Sequence, residues 1–197
     1  MATKKRLRDQ HAEATREAVL ASARDAFTEG GYVKTSLDVI AARAGVTKGA
    51  IYHHFRNKVE VFEAVYTAIA GELAQALRAH IAPLETPAER FQAAMDLMIE
   101  HADDPACRVI LFRDGPVALS DRYRAIDDRH FLGLLKEELS ALQAQGALED
   151  TNIQVLGPML LSAMIEGATL LGKAEDLAQA RRDVREALRR LLVGVVG

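Results

Sequence analysis

At 197 residues and 21.5 kDa, with 49% apolar and 27% charged side chains, the chain suffices for one large domain or two small ones and is too apolar to be disordered throughout. Residues 1–60 carry 11 Lys/Arg against 7 Asp/Glu (+4) and residues 61–197 carry 14 against 21 (−7), so the net charge of −3 conceals a basic end on an acidic body. A protein coated by nucleic acid over its whole surface is thereby excluded, and any DNA contact would be confined to the N-terminal end.

Taken in chain order, residues 1–12 read as a mobile basic tail. Its Lys4, Lys5, Arg6 and Arg8 fit an arm for a DNA minor groove and a solvated tail equally well. A first helix over 12–29 presents the stripe Val19, Leu20, Ala23, Ala26 and Phe27, and Gly30-Gly31 ends it. Thr35-Ser36-Leu37-Asp38 starts a second helix, with Thr35 and Asp38 at capping-box spacing; it carries Leu37, Ile40, Ala41 and Ala44 and stops at Gly45. Thr47 caps a third, short helix over 48–55. Asn57 caps a long helix reaching Ile81, with Val61, Phe62, Val65, Ile69, Leu73 and Leu77 on its apolar side. At ~1.5 Å per residue that helix joins two layers of the molecule, and a domain boundary lies in or beside it. Pro83 and Pro87 separate it from a helix over 88–101. A shorter helix over 106–112 is expected to break at Asp114-Gly115-Pro116, followed by helices over 121–145, 152–173 and 176–196. The fold class is all-α, with about nine helices, no strand and no repeat.

Residues 36–55, SLDVIAARAGVTKGAIYHHF, are two short helices joined by a tight turn, the pattern of a helix-turn-helix. Ala41 is small where the helices cross, and Gly45 can take the left-handed conformation that leaves the second helix. Val46 and Ile51 plug the inner angle above Leu37, Ile40 and Phe55. Facing outward are Thr47, Lys48, Gly49, Ala50, Tyr52 and His53, a polar, small or cationic set at the helix end that favours phosphate. Gly49 and Ala50 would let the backbone approach DNA closely.

This segment resembles the DNA-binding domain of the TetR (tetracycline repressor) family of bacterial transcriptional regulators. The matching elements are Phe27-x-x-Gly30-Gly31-Tyr32, Thr35-Ser36, Ile40-Ala41, Ala44-Gly45-Val46, Lys48-Gly49, Ile51-Tyr52-His53-His54-Phe55 and Asn57-Lys58, without a gap over about 13–65. The resemblance implies a DNA-binding domain over 13–60, a connecting helix over 61–82 and an effector-binding and dimerisation domain over 83–197. Within the DNA-binding set Thr35, Ser36, Thr47, Lys48, Gly49, Ala50, Tyr52, His53 and Lys58, it implies Thr47 capping the recognition helix and touching phosphate. It places Lys48, Gly49 and Ala50 near base edges, and Tyr52, His53 and Lys58 at phosphates. The partners implied are a palindromic double-stranded DNA operator, a small-molecule effector and a second copy of the chain. That copy would pair through the last two helices: 152–173 is apolar nearly all round, and the final helix carries Leu177, Ala180, Val184, Leu188, Leu191 and Val195. A homodimeric repressor released by its effector is the leading expectation.

Met95, Met98, Met159 and Met164, with Phe91, Phe112 and Phe131, are expected around a pliable pocket, and Arg113, Tyr123 and Glu166 are its candidate polar groups. His101-x-Asp103-Asp104-x-x-Cys107 reads as a helix end and a turn capped by Asp103 or Asp104 rather than a metal site, and Asp127-x-x-His130 as an exposed pair. Phosphate loops, paired Cys-x-x-Cys, His-Glu-x-x-His and Gly-x-Ser-x-Gly are all lacking, so neither enzyme, cofactor nor metal is expected. The uncharged run 151–165 is shorter than the ~20 residues of a membrane span, the basic start lacks the apolar stretch of a secretory signal, and the single Cys107 suits a reducing cytoplasm. The rivals are a helical enzyme and an architectural DNA protein without an effector, the latter distinguished by weak sequence preference.

Overall fold

The computed structural model describes residues 2–149 and 151–196, with side chains in that range except at residues 2–5, 7–9 and 192–196. Among the described residues there are nine helices and no strand, as expected. They fall into two compact units, Met1–Thr67 and Ala68–Gly197.

The first unit begins with α1, Ala2–Lys34. Helical backbone thus extends through the segment expected as a tail, which contains no Gly or Pro to stop it; the side chains of Lys4, Lys5 and Arg8 lie outside the described residues. Gly31 (φ 72°, ψ 169°) breaks the helical path where the double glycine stands. Tyr32 then turns its ring toward Phe27 and Phe62, with centroids 6.1 and 5.0 Å away, while Phe27 and Phe62 meet edge to face at 5.0 Å. Next come α2 (Leu37–Ala44), α3 (Lys48–His54) and α4 (Lys58–Ile81), the last running continuously across the division between the units. The expected cap of α4 is present, Asn57 Oδ1 accepting from Glu60 N at 2.9 Å.

The second unit holds the rest of α4, α5 (Pro87–Glu100), α6 (107–119), α7 (122–144), α8 (Ile153–Lys173) and α9 (Leu177–Val196). α8 lies against α6, α7 and α9, and α5 against α7 and α9. Met95, Ile99, Ile110, Leu119, Leu139, Leu142 and Leu171 are the large side chains sealed between them. α5 starts from a capping box: Thr86 Oγ1 accepts from Glu89 N, and Glu89 Oε2 accepts from Thr86 N, both at 3.2 Å.

Three expectations from the sequence are revised. The break expected at Asp114-Gly115-Pro116 is absent: Cys107–Asp114 is π-helical and Gly115–Leu119 follows it directly. Proline lacks the N–H that an interior turn needs, and at the first turn of a new α segment that loss costs nothing. A second π stretch, Asp128–Leu132, interrupts α7. It coincides with a change to Asp127-x-x-His130, which is no exposed pair: Asp127 is buried and His130 half-buried. The third concerns α8. By length and composition it is the one helix among the described residues able to cross a membrane, because the uncharged run continues past Ile165 with only Glu166 and Lys173 charged. Gly157, Leu160, Leu161, Gly167, Ala168 and Leu171 are nevertheless buried in the unit.

Near its end α8 rests on α6 at Gly172, where a Cβ would stand 2.7 Å from both the Phe112 carbonyl carbon and the Arg113 nitrogen. Backbone cannot yield as a side-chain tip can, so Gly172→Ala is expected to lower stability by about 1–3 kcal/mol. Gly133→Ala, whose Cβ meets nothing within 4 Å in a helical backbone, should instead be neutral or stabilising by up to ~1 kcal/mol. Urea unfolding of the two variants beside the parent checks the contrast.

Candidate nucleic-acid interface

The turn between α2 and α3 is held at both sides by backbone geometry. Gly45 sits at φ 66°, ψ 28°, and the N–H of Val46 donates to Ala41 O at 3.0 Å, closing α2. Thr47 then caps α3, its Oγ1 accepting from Ala50 N at 3.2 Å. Ile51 is fully buried beneath α3, with Leu37, Ile40 and Phe55 buried around it. The helix can therefore turn only its other side outward.

On that side Thr47, Lys48, Gly49 and His53 are exposed, Ala50 is half-buried, and Tyr52 is 51% exposed. Lys48 Nζ lies 2.9 Å from Asp38 Oδ2 of α2, and this hydrogen bond, with the attraction of the same carboxylate, holds the Lys48 pKa above its ordinary value. Arg43 is likewise paired with Glu29 at 2.5 Å. Both carboxylates compete with any phosphate for those cations. Arg56, directly after the buried Phe55, is exposed and was not singled out in the sequence; its place beyond the end of α3 gave no periodic signal.

Ser36 is exposed and caps α2, its Oγ accepting from Val39 N at 3.3 Å. Two other members of the expected DNA-binding set stand away from the outward side of α3. Thr35 is neither the α2 cap nor outward: it is 4% exposed, and its hydroxyl donates to Ala26 O at 3.0 Å and Gly31 O at 2.8 Å. Lys58 points into the turn after α1, its ammonium donating to Tyr32 O at 2.8 Å and Thr35 O at 3.1 Å while lying 4.2 Å from the Tyr32 ring centre. Both side chains secure the turn between α1 and α2.

Of the ten residues expected around one effector pocket, Phe91, Met95 and Met164 share a cavity and the others do not join them there. Met95, Met98 and Phe112 are buried, Tyr123 and Phe131 half-buried, and Arg113, Met159 and Glu166 exposed. Met95 borders a small apolar cavity of about 10 Å³ with Phe91, Leu160, Met164 and Leu188. Arg113 lines a different, polar recess of about 360 Å³. In the former metal-like cluster, Asp104 Oδ1 accepts from Cys107 N at 2.8 Å, a helix cap, and His101 Nδ1 is 2.8 Å from Leu97 O.

Comparison with known proteins places this geometry. A profile of bacterial regulatory proteins, tetR family, matches residues 19–65, and one of the tetracyclin repressor-like C-terminal domain matches residues 88–195, more than half of the chain. The chain belongs to the TetR family. It shares the family's helix-turn-helix and is a DNA-binding transcriptional regulator. A TetR-family regulator from Pectobacterium atrosepticum superposes with a TM-score of 0.84 at 30% identity, covering 95% of this chain and 96% of that one. SmeT, the repressor of a multidrug efflux pump of Stenotrophomonas maltophilia, has been solved in complex with triclosan; that structure gives a TM-score of 0.70 at 29% identity over 93% of this chain and 92% of SmeT. The uncharacterised HTH-type regulator YhgD of Bacillus subtilis is 24% identical over 154 residues, 76% of this chain and 80% of YhgD.

The contacts of Lys58 have a measurable consequence. Lys58→Met removes the donors to two carbonyls and is expected to destabilise this TetR-family protein by about 1–3 kcal/mol in DNA-free unfolding. A residue reserved for phosphate would leave the free protein's stability unchanged.

Proposed function

We propose that the protein is a homodimeric repressor that reads a palindromic operator with the outward side of α3 and leaves it when a small molecule binds the unit Ala68–Gly197. The observation that carries this reading is Gly49. It lies inside a helix, exposed, with φ in the ordinary range, and a Cβ there would meet only Thr47 Oγ1 at 3.7 Å. Nothing in the fold requires glycine at a position where it costs a helix up to ~1 kcal/mol. Close approach of an outside surface is what a missing side chain permits. Flanked by Lys48, Ala50, Tyr52 and His53, that surface is DNA: Lys48, Gly49 and Ala50 meet base edges in the major groove, while Thr47, Tyr52, His53 and the Ser36 cap of α2 lie along phosphates.

One α3 reads too few base pairs for useful specificity, and a second copy supplies the other half-site roughly 34–36 Å away. The surface offered to that copy is on α8. Val155, Met159 and Leu170 are 56%, 66% and 53% exposed, and their spacing puts them on one side of the helix with Ser162 and Glu166 between. Leu191 of α9 is also exposed. Pairing α8 and α9 with their copies buries this stripe, which explains why Met159 and Glu166 stand away from any internal pocket.

For the effector, the apolar cavity beside Met95 and Met164 is smaller than a ligand, so binding there proceeds by repacking flexible methionines. Such repacking can act on DNA affinity only if the two protein states bind the ligand unequally. α4, continuous from one unit into the other, is the covalent path for that change. A regulator of this kind works in the bacterial cytoplasm.

Gly49→Ala separates fold from function: stability should stay level or rise by up to ~1 kcal/mol while affinity for the operator falls at least tenfold, read by unfolding and by a mobility-shift titration. Unchanged DNA affinity would remove the assigned docking face. Footprinting beside the protein's own gene supplies the operator, and a preference over scrambled duplex below ~10³-fold would favour the architectural alternative. Met159→Arg should give monomers in sedimentation with poor operator affinity; a monomer that binds tightly would refute the paired arrangement.

A further inference from the structure

The polar recess of about 360 Å³ in the second unit is separate from the apolar cavity and owes its shape to the π-helical part of α6. Residues five apart in an α-helix point ~140° away from each other. Where N–H groups bond five residues back, residues five apart stack on one side instead. Arg108 and Arg113 are five apart within Cys107–Asp114, and both line the recess together with Val109. Ordinary helix would have pointed one of the two guanidinium groups elsewhere. The wall facing them includes Gly172, whose close approach to Phe112 and Arg113 anchors the π backbone, and Leu177 of α9.

The charges around the recess are unequally matched. Arg113 is spoken for by Asp114, with Nε to Oδ1 at 2.8 Å. Asp103, the acidic group in the lining, is ion-paired with Arg181 of α9 through Nη2. Arg108 alone meets no carboxylate at ion-pair distance among the described residues. Its Nη2 donates to Ala174 O at 2.7 Å, which fixes the fork and leaves its other N–H groups for a visitor. One uncompensated, oriented guanidinium calls for one negative charge, and its planar fork matches a carboxylate. Ala102, Pro105, Val109 and Leu177 supply apolar wall for a hydrocarbon body, and the volume is that of a small-ligand site.

We propose that this recess binds a small organic monocarboxylate, its carboxylate on Arg108 with Arg113 beside it and its apolar part against Val109 and Leu177. The site stands independently of the operator reading, because its test needs no DNA. Calorimetric titration of the full chain with benzoate, with the neutral isostere benzamide and with inorganic phosphate is expected to show one benzoate per chain, bound at least tenfold more tightly than either control. Arg108→Gln should weaken benzoate at least tenfold, and Arg108→Lys less than that, since charge remains and the fork is lost. As Arg108 also holds the end of α8, Arg113→Gln serves as the second variant: an exposed side chain whose loss should weaken benzoate severalfold while the unfolding curve stays in place. No binding up to about 10 mM benzoate, equal binding of benzamide, tighter binding of phosphate, or benzoate affinity unmoved in both glutamine variants would each overturn the assignment.

Discussion

A helix of seven residues is not stable by itself in water, so everything outward-facing on Lys48–His54 depends on what is buried beneath it. Ile51 is the peg. It is fully buried, as Leu37 and Ile40 of the preceding helix are buried, while Thr47 satisfies an N-terminal amide and Gly45 sets the angle of entry. Once those three constraints hold, the remaining side chains of α3 have no inward option. The chemistry of the outward side is therefore a by-product of one buried isoleucine and its turn. On the outward side the polar contacts among the described residues are the Thr47 cap and the Lys48–Asp38 pair.

That pair and Arg43–Glu29 change how the basic N-terminal end is to be understood. The excess of positive charge in residues 1–60 is real, yet two of its cations in the helix-turn-helix already face carboxylates, and a third, Lys58, is bound to carbonyls. Non-specific attraction to a duplex grows with each phosphate neutralised. Occupied cations weaken it, and in the proposed docking a base edge would have to draw Lys48 away from Asp38. Pairing of this sort favours discrimination over sheer affinity.

What was legible in the sequence was local. Double glycine, the Gly45 turn, the Thr47, Asn57 and Asp104 caps and the stripe ending in Phe27 are all written within four or five residues of where they act, and the structure has them there. The misreadings share a different property. Thr35 reaches back nine residues to Ala26, and Lys58 reaches back more than twenty to Tyr32 and Thr35, distances over which spacing carries no information. A methionine at helical spacing announces an apolar face without saying whether that face meets its own core, as at Met95, or lies uncovered, as at Met159. The capping box Thr86-x-x-Glu89 is equally local, with Thr86 directly before Pro87.

The π-helical stretches were not readable at all, and they decide the interior of the second unit. No residue type selects an i→i+5 turn, which is less favourable than the α turn it replaces and persists only where packing over-determines it. Here the packing is Gly172: with no side chain, α8 can lie directly on the backbone of residues 112 and 113, and α6 widens in response rather than breaking before Pro116. Widening rotates every later residue of α6 relative to the earlier ones. Arg113 comes round to the side of Arg108 and leaves the methionine-lined interior where the sequence placed it. A single glycine on one helix thus sorts the second unit into an apolar core and a polar recess, two environments that can respond to chemically different molecules.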